Sequence, residues 1–303
     1  MDNRRKKSIE EVSALVRRRA EADALPLATR RTIMNQNTSV FPPPSDVRVE
    51  TADLDGLGAE WLIPHGDRAK ASSLLLYFHG SGYIMGSPLS HRHLTAQLAR
   101  VTGMTVLSVD YALAPESPFP AAVNDGVKAY HWLLRQGYEA DTIAISGDSA
   151  GGGLAVATLL SARDRNLALP AACALISPWV DLTCGSQTYR SCAQLDPMIT
   201  PPAIENMAET YLAGADAHHP LASPIFADLR GLPPLLIHVG TNEILLDDSR
   251  MLAASARAAG VQVRLDIWNG LFHVWHAFYQ MLDEGERAIE AFSGFLHEHF
   301  VPD

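Results

Sequence analysis

Apolar residues follow two alternating patterns along most of the chain. Short runs that are apolar at nearly every position alternate with longer stretches in which apolar residues recur every three or four positions. The runs are typical of strands buried on both faces, and the wider spacing is typical of helices packed against a core. The predicted strands are 48–55, 59–64, 73–79, 105–111, 142–148, 172–179, 235–240 and 263–268; the helices between and after them are 89–102, 120–137, 149–165, 246–259 and 282–299. This order predicts an α/β fold with a mostly parallel sheet, helices on both faces and an antiparallel pair at the start.

Two segments do not follow this alternation of strands and helices. Residues 8–21 form an amphipathic pattern, and Ser8 with Glu11 three positions later is a capping-box pair, so we predict a helix in front of the main domain. Residues 181–222 contain Gly, Ser and Pro with scattered helix signals and no strand of their own. We interpret 181–222 as an insertion over the carboxyl ends of the strands, the edge where open α/β sheets bind ligands.

Composition and charge indicate which kinds of binding partner the chain is expected to lack. The 303 residues include 24 Lys and Arg against 34 Asp and Glu, a net charge of −10, which disfavours nucleic acid. We find no apolar run of about 18 residues and no apolar signal segment in the first twenty positions, so the prediction is a cytoplasmic protein without a membrane partner. The three cysteines have no metal-ligand spacing and are expected to be free thiols: Cys173, Cys184 and Cys192.

One serine lies in a pattern typical of nucleophiles. Gly147-Asp148-Ser149-Ala150-Gly151 has the form G-x-S-x-G and joins a predicted strand to a helix rich in small residues. In such a turn the glycines let neighbouring backbone approach closely, so that the hydroxyl projects from the sheet edge. The helix N-terminus behind it places partial positive charge where an oxyanion would form. Ser149 is therefore the candidate nucleophile.

A second glycine-containing turn precedes that serine. His79-Gly80-Ser81-Gly82 follows the strand 73–79, in the position of loops that supply N–H groups to an oxyanion. Gly80 and Gly82 allow amides to converge, whereas Ser81 has a narrower backbone range. We expect His79 to brace this loop rather than carry protons.

The general base and its acid should follow later strands. His273 lies directly after the strand 263–268, whereas His276 falls three residues on and the other candidates precede the serine. Glu243 follows the strand 235–240 and can face that histidine. Asp247 remains an alternative acid, although acids in a first helical turn usually complement the helix dipole.

Further motifs carry a family resemblance, which runs from about residue 70 to 298. They are DYALAPESPFPAA (110–122), SPW (177–179), LPP (232–234) and NGLFH (269–273). With the serine and glycine turns, they resemble the bacterial hormone-sensitive-lipase-like esterases, the family IV carboxylesterases of the α/β-hydrolase superfamily. The acid position holds Glu where the family often has Asp, and Ser81 stands where the family has Gly.

The resemblance implies a domain layout and a reaction. N-terminal cap helices would occupy 1–45 and a cap insertion 181–222, over a catalytic domain of 46–180 and 223–303. The chain would hydrolyse short- to medium-chain carboxylic esters, without cofactor or metal, as a monomer or as a homodimer paired through an edge strand. The implied site residues are the triad Ser149, Glu243 and His273, the oxyanion donors Gly80, Ser81, Gly82 and Ala150, and Tyr83 lining the pocket.

Two other function classes remain open at this point. The same triad could serve an amidase or peptidase, which matched ester and anilide substrates would distinguish. A non-catalytic ligand-binding protein on the same scaffold is the third possibility, and covalent labelling of Ser149 would separate it from an enzyme.

Overall fold

The computed structural model describes residues 6–20, 25–36, 41–65 and 73–300. Within these residues the chain forms eight strands and nine α-helices. The strands are β1 (Val47–Asp53), β2 (Gly58–Pro64), β3 (Leu74–Phe78), β4 (Thr105–Val109), β5 (Ile143–Asp148), β6 (Ala172–Ile176), β7 (Leu235–Gly240) and β8 (Val263–Trp268). The helices are α1 (Ile9–Ala20), α2 (Leu27–Gln36), α3 (Pro88–Thr102), α4 (Ala121–Arg135), α5 (Ala150–Asp164), α6 (Thr188–Ser191), α7 (Pro201–Leu212), α8 (Leu246–Ala258) and α9 (Asp283–His299).

The strands form one sheet in the order β1-β2-β4-β3-β5-β6-β7-β8. The pairs β1–β2 and β2–β4 are antiparallel, and every other neighbouring pair is parallel. The predicted fold class is therefore confirmed, including the antiparallel pair at the start. Because β3 and β5 to β8 run in parallel, the loops after them meet at one edge of the sheet, and this edge carries the candidate site.

The continuous apolar runs are explained by packing on both faces of the sheet. All five residues of β3 are buried. Leu74 and Leu76 belong to a core that also contains Leu154 of α5, whereas Leu75 belongs to a second core with Phe292 of α9. A strand covered on both sides needs apolar residues at every position rather than at alternate ones.

The N-terminal region contains one predicted helix and one that the apolar pattern did not indicate. In α1, Val12 and Val16 pack against Leu271, Phe272 and Trp275. In α2 no residue is buried. A helix without a buried face has no apolar stripe, so hydrophobic periodicity could not reveal it.

Four further expectations can be compared with the structure. The predicted strand 172–179 ends early, at Ile176, because Ser177 adopts a left-handed φ of 46°. Residues 181–222 contain α6 and α7 and no strand, as predicted. The three cysteines are free. No helix in the described parts of the chain has the length and apolar character needed to cross a bilayer.

Candidate active site

Ser149 occupies the turn between β5 and α5. Its φ of 53° and ψ of −123° lie outside the regions that most residues adopt. The turn is tight because a Cβ on Gly147 would collide with the carbonyl oxygen of Gly151, and one on Gly151 would collide with that of Phe78. The two glycines of the motif are therefore required by close backbone approach, as the sequence suggested, and the serine is presented at the sheet edge.

His273 and Glu243 form a buried hydrogen-bonded pair. Glu243 follows β7 and His273 follows β8, and His273 Nδ1 donates to Glu243 Oε2 at 3.0 Å. Glu243 is fully buried and His273 is 2% exposed. The structure thus brings together the two residues that chain order selected.

Asp247, the alternative acid, points elsewhere. It lies in the first turn of α8, where its carboxylate accepts the N–H of Thr188 and pairs with Arg250. Glu243, not Asp247, is therefore the carboxylate that contacts His273.

The surroundings of His273 favour its charged form. Burial alone would lower the pKa of His273, but the hydrogen bond and charge of Glu243 raise it above its ordinary value, helped by Asp196 and Asp148. A histidine in this environment can accept a proton inside the protein, which a general base must do.

Ser177 is a supporting residue to which the sequence assigned no role. Its hydroxyl donates to Glu243 Oε1 at 3.0 Å and accepts the N–H of Val274, next to His273. The same Glu243 oxygen accepts the N–H of Gly240. Ser177 lies in the SPW motif, and that motif was the available signal, but the distance along the chain to Glu243 concealed the contact.

The turn after β3 supplies backbone N–H groups beside Ser149. Ser81 and Gly82 have left-handed φ values of 87° and 68°, and their amides have no acceptor among the described residues. Ala150 begins α5, so its N–H is one of the amides that a helix N-terminus leaves free. Gly80 differs, because its N–H donates to Asp148 Oδ1 at 3.0 Å. The expectation that Gly80 is an oxyanion donor is corrected on this ground.

Asp148 and His79 hold the turn after β3 in place through contacts with Gly80. Asp148 also accepts the hydroxyl of Tyr77 at 2.7 Å. His79 donates from Nδ1 to the Gly80 carbonyl and stacks on Tyr111 with ring centroids 4.2 Å apart. Burial, reinforced by the nearby His91, lowers the pKa of His79 to about 3. His79 therefore remains neutral near pH 7 and has the bracing position that the sequence suggested.

Comparisons with known proteins agree with this geometry. Residues 75–277 match the model of a family described as having the alpha/beta hydrolase fold. An acetyl-hydrolase of Streptomyces hygroscopicus is 46% identical over 254 residues, 84% of this chain and 83% of the relative. An esterase structure from the bacterial hormone-sensitive lipase family covers 98% of this chain and 100% of its own, with 40% identity and a TM-score of 0.94. The chain belongs to the bacterial hormone-sensitive-lipase-like esterases.

A second similar structure comes from a crystal soaked with an ester. EstE5, from crystals soaked with p-nitrophenyl butyrate, covers 96% of this chain and 98% of its own, with 47% identity and a TM-score of 0.92. The resemblance read from the sequence motifs is confirmed, and the chain is a carboxylic ester hydrolase.

The esterase has a cavity of about 300 Å³ at the candidate site. Ser149 and His273 line it together with Ser81 and Gly82. Part of its wall is apolar and comes from α1, α2, α7 and the segment before α7: Val16, Met34, Met198, Ile199, Ala203, Ile204 and Met207. The rest includes residues of α3 and of the loop after His273. Ser149, His273 and the turn of Ser81 and Gly82, here called the amide turn, therefore face the same cavity.

Residues near the candidate site differ in whether they line the cavity. Met198 and Ile199 line the cavity. Tyr83 and Tyr211 stack on each other with centroids 3.9 Å apart, and neither they nor Leu212 are among the described residues that line it. Direct contact of Tyr83 with substrate stays a prediction; the structure places its ring in packing behind the wall.

Polar contacts hold α2 of the esterase on the amide turn. Arg31 donates to the carbonyl oxygens of Ile84 and Ala114 and pairs with both carboxylate oxygens of Glu116, all at 2.8 Å. The Ser81 hydroxyl donates to Met34 Sδ at 3.4 Å. The Ser87 hydroxyl also donates to Asn35 Oδ1 at 2.6 Å. Arg31 is therefore one of several attachments of this helix, which has no fully buried residue.

Proposed function

We propose that this esterase hydrolyses short- to medium-chain carboxylic esters through a Ser149–His273–Glu243 triad and an acyl-enzyme intermediate. The observation that carries the proposal is the 3.0 Å hydrogen bond between His273 Nδ1 and Glu243 Oε2, at the wall of the cavity that Ser149 also lines. Glu243 orients the imidazole and stabilises its charged form, which leaves Nε2 as the atom that takes the proton of the nucleophile.

In the acylation step, the Ser149 oxygen attacks the ester carbonyl carbon while its proton passes to His273. The N–H groups of Ser81, Gly82 and Ala150 stabilise the oxyanion, because backbone dipoles fixed in a dry site need no reorganisation during the reaction. The carbon–oxygen bond to the alcohol then breaks, and the alcohol leaves with the proton from His273. A water, deprotonated by His273, attacks the acyl-enzyme and releases the acid.

The cavity supports the proposed chain length. Ligand pockets commonly span about 300–1,000 Å³, so a cavity of about 300 Å³ lies at the small end. We also propose that 1–45 and 181–222 act as a cap, since described residues of both segments line the cavity that Ser149 lines. The cytoplasmic location and the absence of nucleic-acid and membrane partners stay predictions from the sequence.

The first experiment measures hydrolysis of p-nitrophenyl esters from acetate to palmitate. Wild-type activity should peak at short to medium chains, with butyrate as the reference because EstE5 was soaked with that ester. Ser149→Ala should lower kcat/KM by more than about a thousandfold, whereas Ser255→Ala, at an exposed serine of α8, should change it little. Ordinary turnover by Ser149→Ala would refute the triad.

A second experiment separates the proposal from the other function classes. A fluorophosphonate should label Ser149 in the wild type and fail to label Ser149→Ala. Matched ester and anilide substrates should show a large preference for the ester. Preferential cleavage of the anilide would instead favour an amidase.

A further inference from the structure

Asp196 is a buried carboxylate that the proposed reaction does not use. It lies in the segment 181–222, before α7, and is 3% exposed. Its Oδ1 accepts the N–H groups of Met198 at 2.8 Å and Ile199 at 3.1 Å. Its Oδ2 accepts the N–H of Ile244 at 3.0 Å. One carboxylate therefore joins two separate loops through three backbone hydrogen bonds.

The two loops that Asp196 joins belong to different parts of the site. Met198 and Ile199 are cavity-wall residues. Ile244 directly follows Glu243, the carboxylate that contacts His273. Because both oxygens of Asp196 are occupied, a shift of the cavity wall would be transmitted to the Glu243 loop.

Asp196 also acts on His273 through its charge. The charges of three carboxylates raise the pKa of His273: Glu243 after β7, Asp196 from the segment before α7, and Asp148 at the end of β5. Burial raises the pKa of Asp196, while His273 and the amides of Met198 and Ile244 oppose that change. Amides that donate to a carboxylate favour its charged form.

We propose that Asp196 is a positioning residue, which fastens the cavity wall at Met198 and Ile199 to the Glu243 loop and adds its negative charge to that of Glu243 in the surroundings of His273. The proposal rests on the proposed triad. It assigns a role in turnover to a residue outside that triad.

The test compares Asp196→Asn with Asp248→Asn. Asp248 is a matched control because it is buried and accepts two backbone amides, those of Val180 and Asp181, but does not face His273. The pH dependence of kcat/KM for p-nitrophenyl butyrate is measured for each variant from about pH 5 to 9.

The expected result follows from the sign of the removed charge. Without the negative charge of Asp196, the pKa of His273 falls, so the base stays unprotonated at lower pH. The acid limb of the profile should therefore move down by about half a pH unit or more in Asp196→Asn, with a lower kcat. The limb should stay in place in Asp248→Asn and return close to the wild-type position in Asp196→Glu, which keeps the charge.

Three outcomes would overturn the proposal. The acid limb of Asp196→Asn could remain at the wild-type position, or Asp248→Asn could shift it equally. Alternatively, Asp196→Asn and Asp196→Ser could both fail to fold while Asp248→Asn folds, which would assign the carboxylate a purely structural role. Failure of the triad itself is recognised separately, by ordinary turnover in Ser149→Ala.

Discussion

Two buried histidines lie on opposite sides of β5 in the sheet, and their surroundings tune them in opposite directions. His79 follows β3, and burial together with the neighbouring His91 lowers its pKa to about 3, although the hydrogen bond to the Gly80 carbonyl opposes that change. His273, equally buried, has the carboxylate of Glu243 as its partner, and its pKa rises. The comparison shows that burial without a hydrogen-bonded carboxylate keeps a histidine neutral. A buried histidine that is hydrogen-bonded to a carboxylate can instead accept a proton and act as a base.

The same contrast extends to the two halves of the site. On the His273 side, Glu243 is fixed by the hydroxyl of Ser177 and the amide of Gly240. On the amide-turn side, Ser81 and Gly82 have left-handed backbone conformations, and the Ser81 hydroxyl contacts Met34 of α2. One half is therefore sensitive to charge, and the other to geometry.

The largest expected effect is removal of the carboxylate from the His273 side. Glu243→Gln keeps the shape but cannot stabilise a protonated imidazole, so kcat/KM for p-nitrophenyl butyrate should fall by about a hundredfold to ten-thousandfold. The matched control is Asp247→Asn, one helical turn away, which should change kcat/KM less than about threefold. Comparable losses in the two variants would contradict the assignment of Glu243.

The next effect concerns His79 and the pH dependence of stability. Its pKa is about 3 in the folded chain against an ordinary 6.5, so the unfolded chain binds a proton that the folded chain does not. The stabilising contribution is complete above about pH 6.5 and declines as the pH falls toward 3, by up to about 1.4 kcal/mol per pH unit. Urea denaturation at several pH values measures this slope. His79→Asn should reduce the slope, and an unchanged slope would mean that other groups carry it.

A smaller effect tests whether α2 positions the amide turn. Arg31→Gln removes the bonds of α2 to the carbonyls of Ile84 and Ala114, so kcat should fall about tenfold while KM changes less, because the oxyanion is stabilised only during the reaction. Arg17→Gln is the control: Arg17 binds the carbonyls of Gln194 and Leu195 instead. An increase in KM alone for Arg31→Gln would indicate a lid role without positioning of the donors.

The smallest effect comes from relieving strain at Ser81. A serine at φ 87° costs more than a glycine there, so Ser81→Gly should raise the free energy of unfolding by about 0.5–1 kcal/mol if the loop geometry is kept. Loss of the hydroxyl contact with Met34 should change kcat by no more than about twofold. Chemical denaturation and butyrate kinetics measure both, and destabilisation would show that the contact outweighs the strain.

The sequence predicted the parts of the molecule that follow from local pattern and chain order. The buried strands, the turn at Ser149 and the positions of Glu243 and His273 after successive strands all have such signals. The remainder depends on contacts between distant positions. The competition of Asp148 for the Gly80 amide, the bond from Ser177 to Glu243 and the attachment of the polar helix α2 leave no periodic pattern in the chain.

The packing of α1 against the loop around His273 has a consequence for folding. Lys6 donates to the carbonyl of Tyr279 across 273 positions of sequence, and Val12 and Val16 meet Leu271 and Phe272. Contacts between such distant segments carry a high loop-closure cost and form slowly. During synthesis α1 emerges long before its partner loop exists, so the cavity wall that includes Val16 is expected to be among the last parts of the enzyme to assemble.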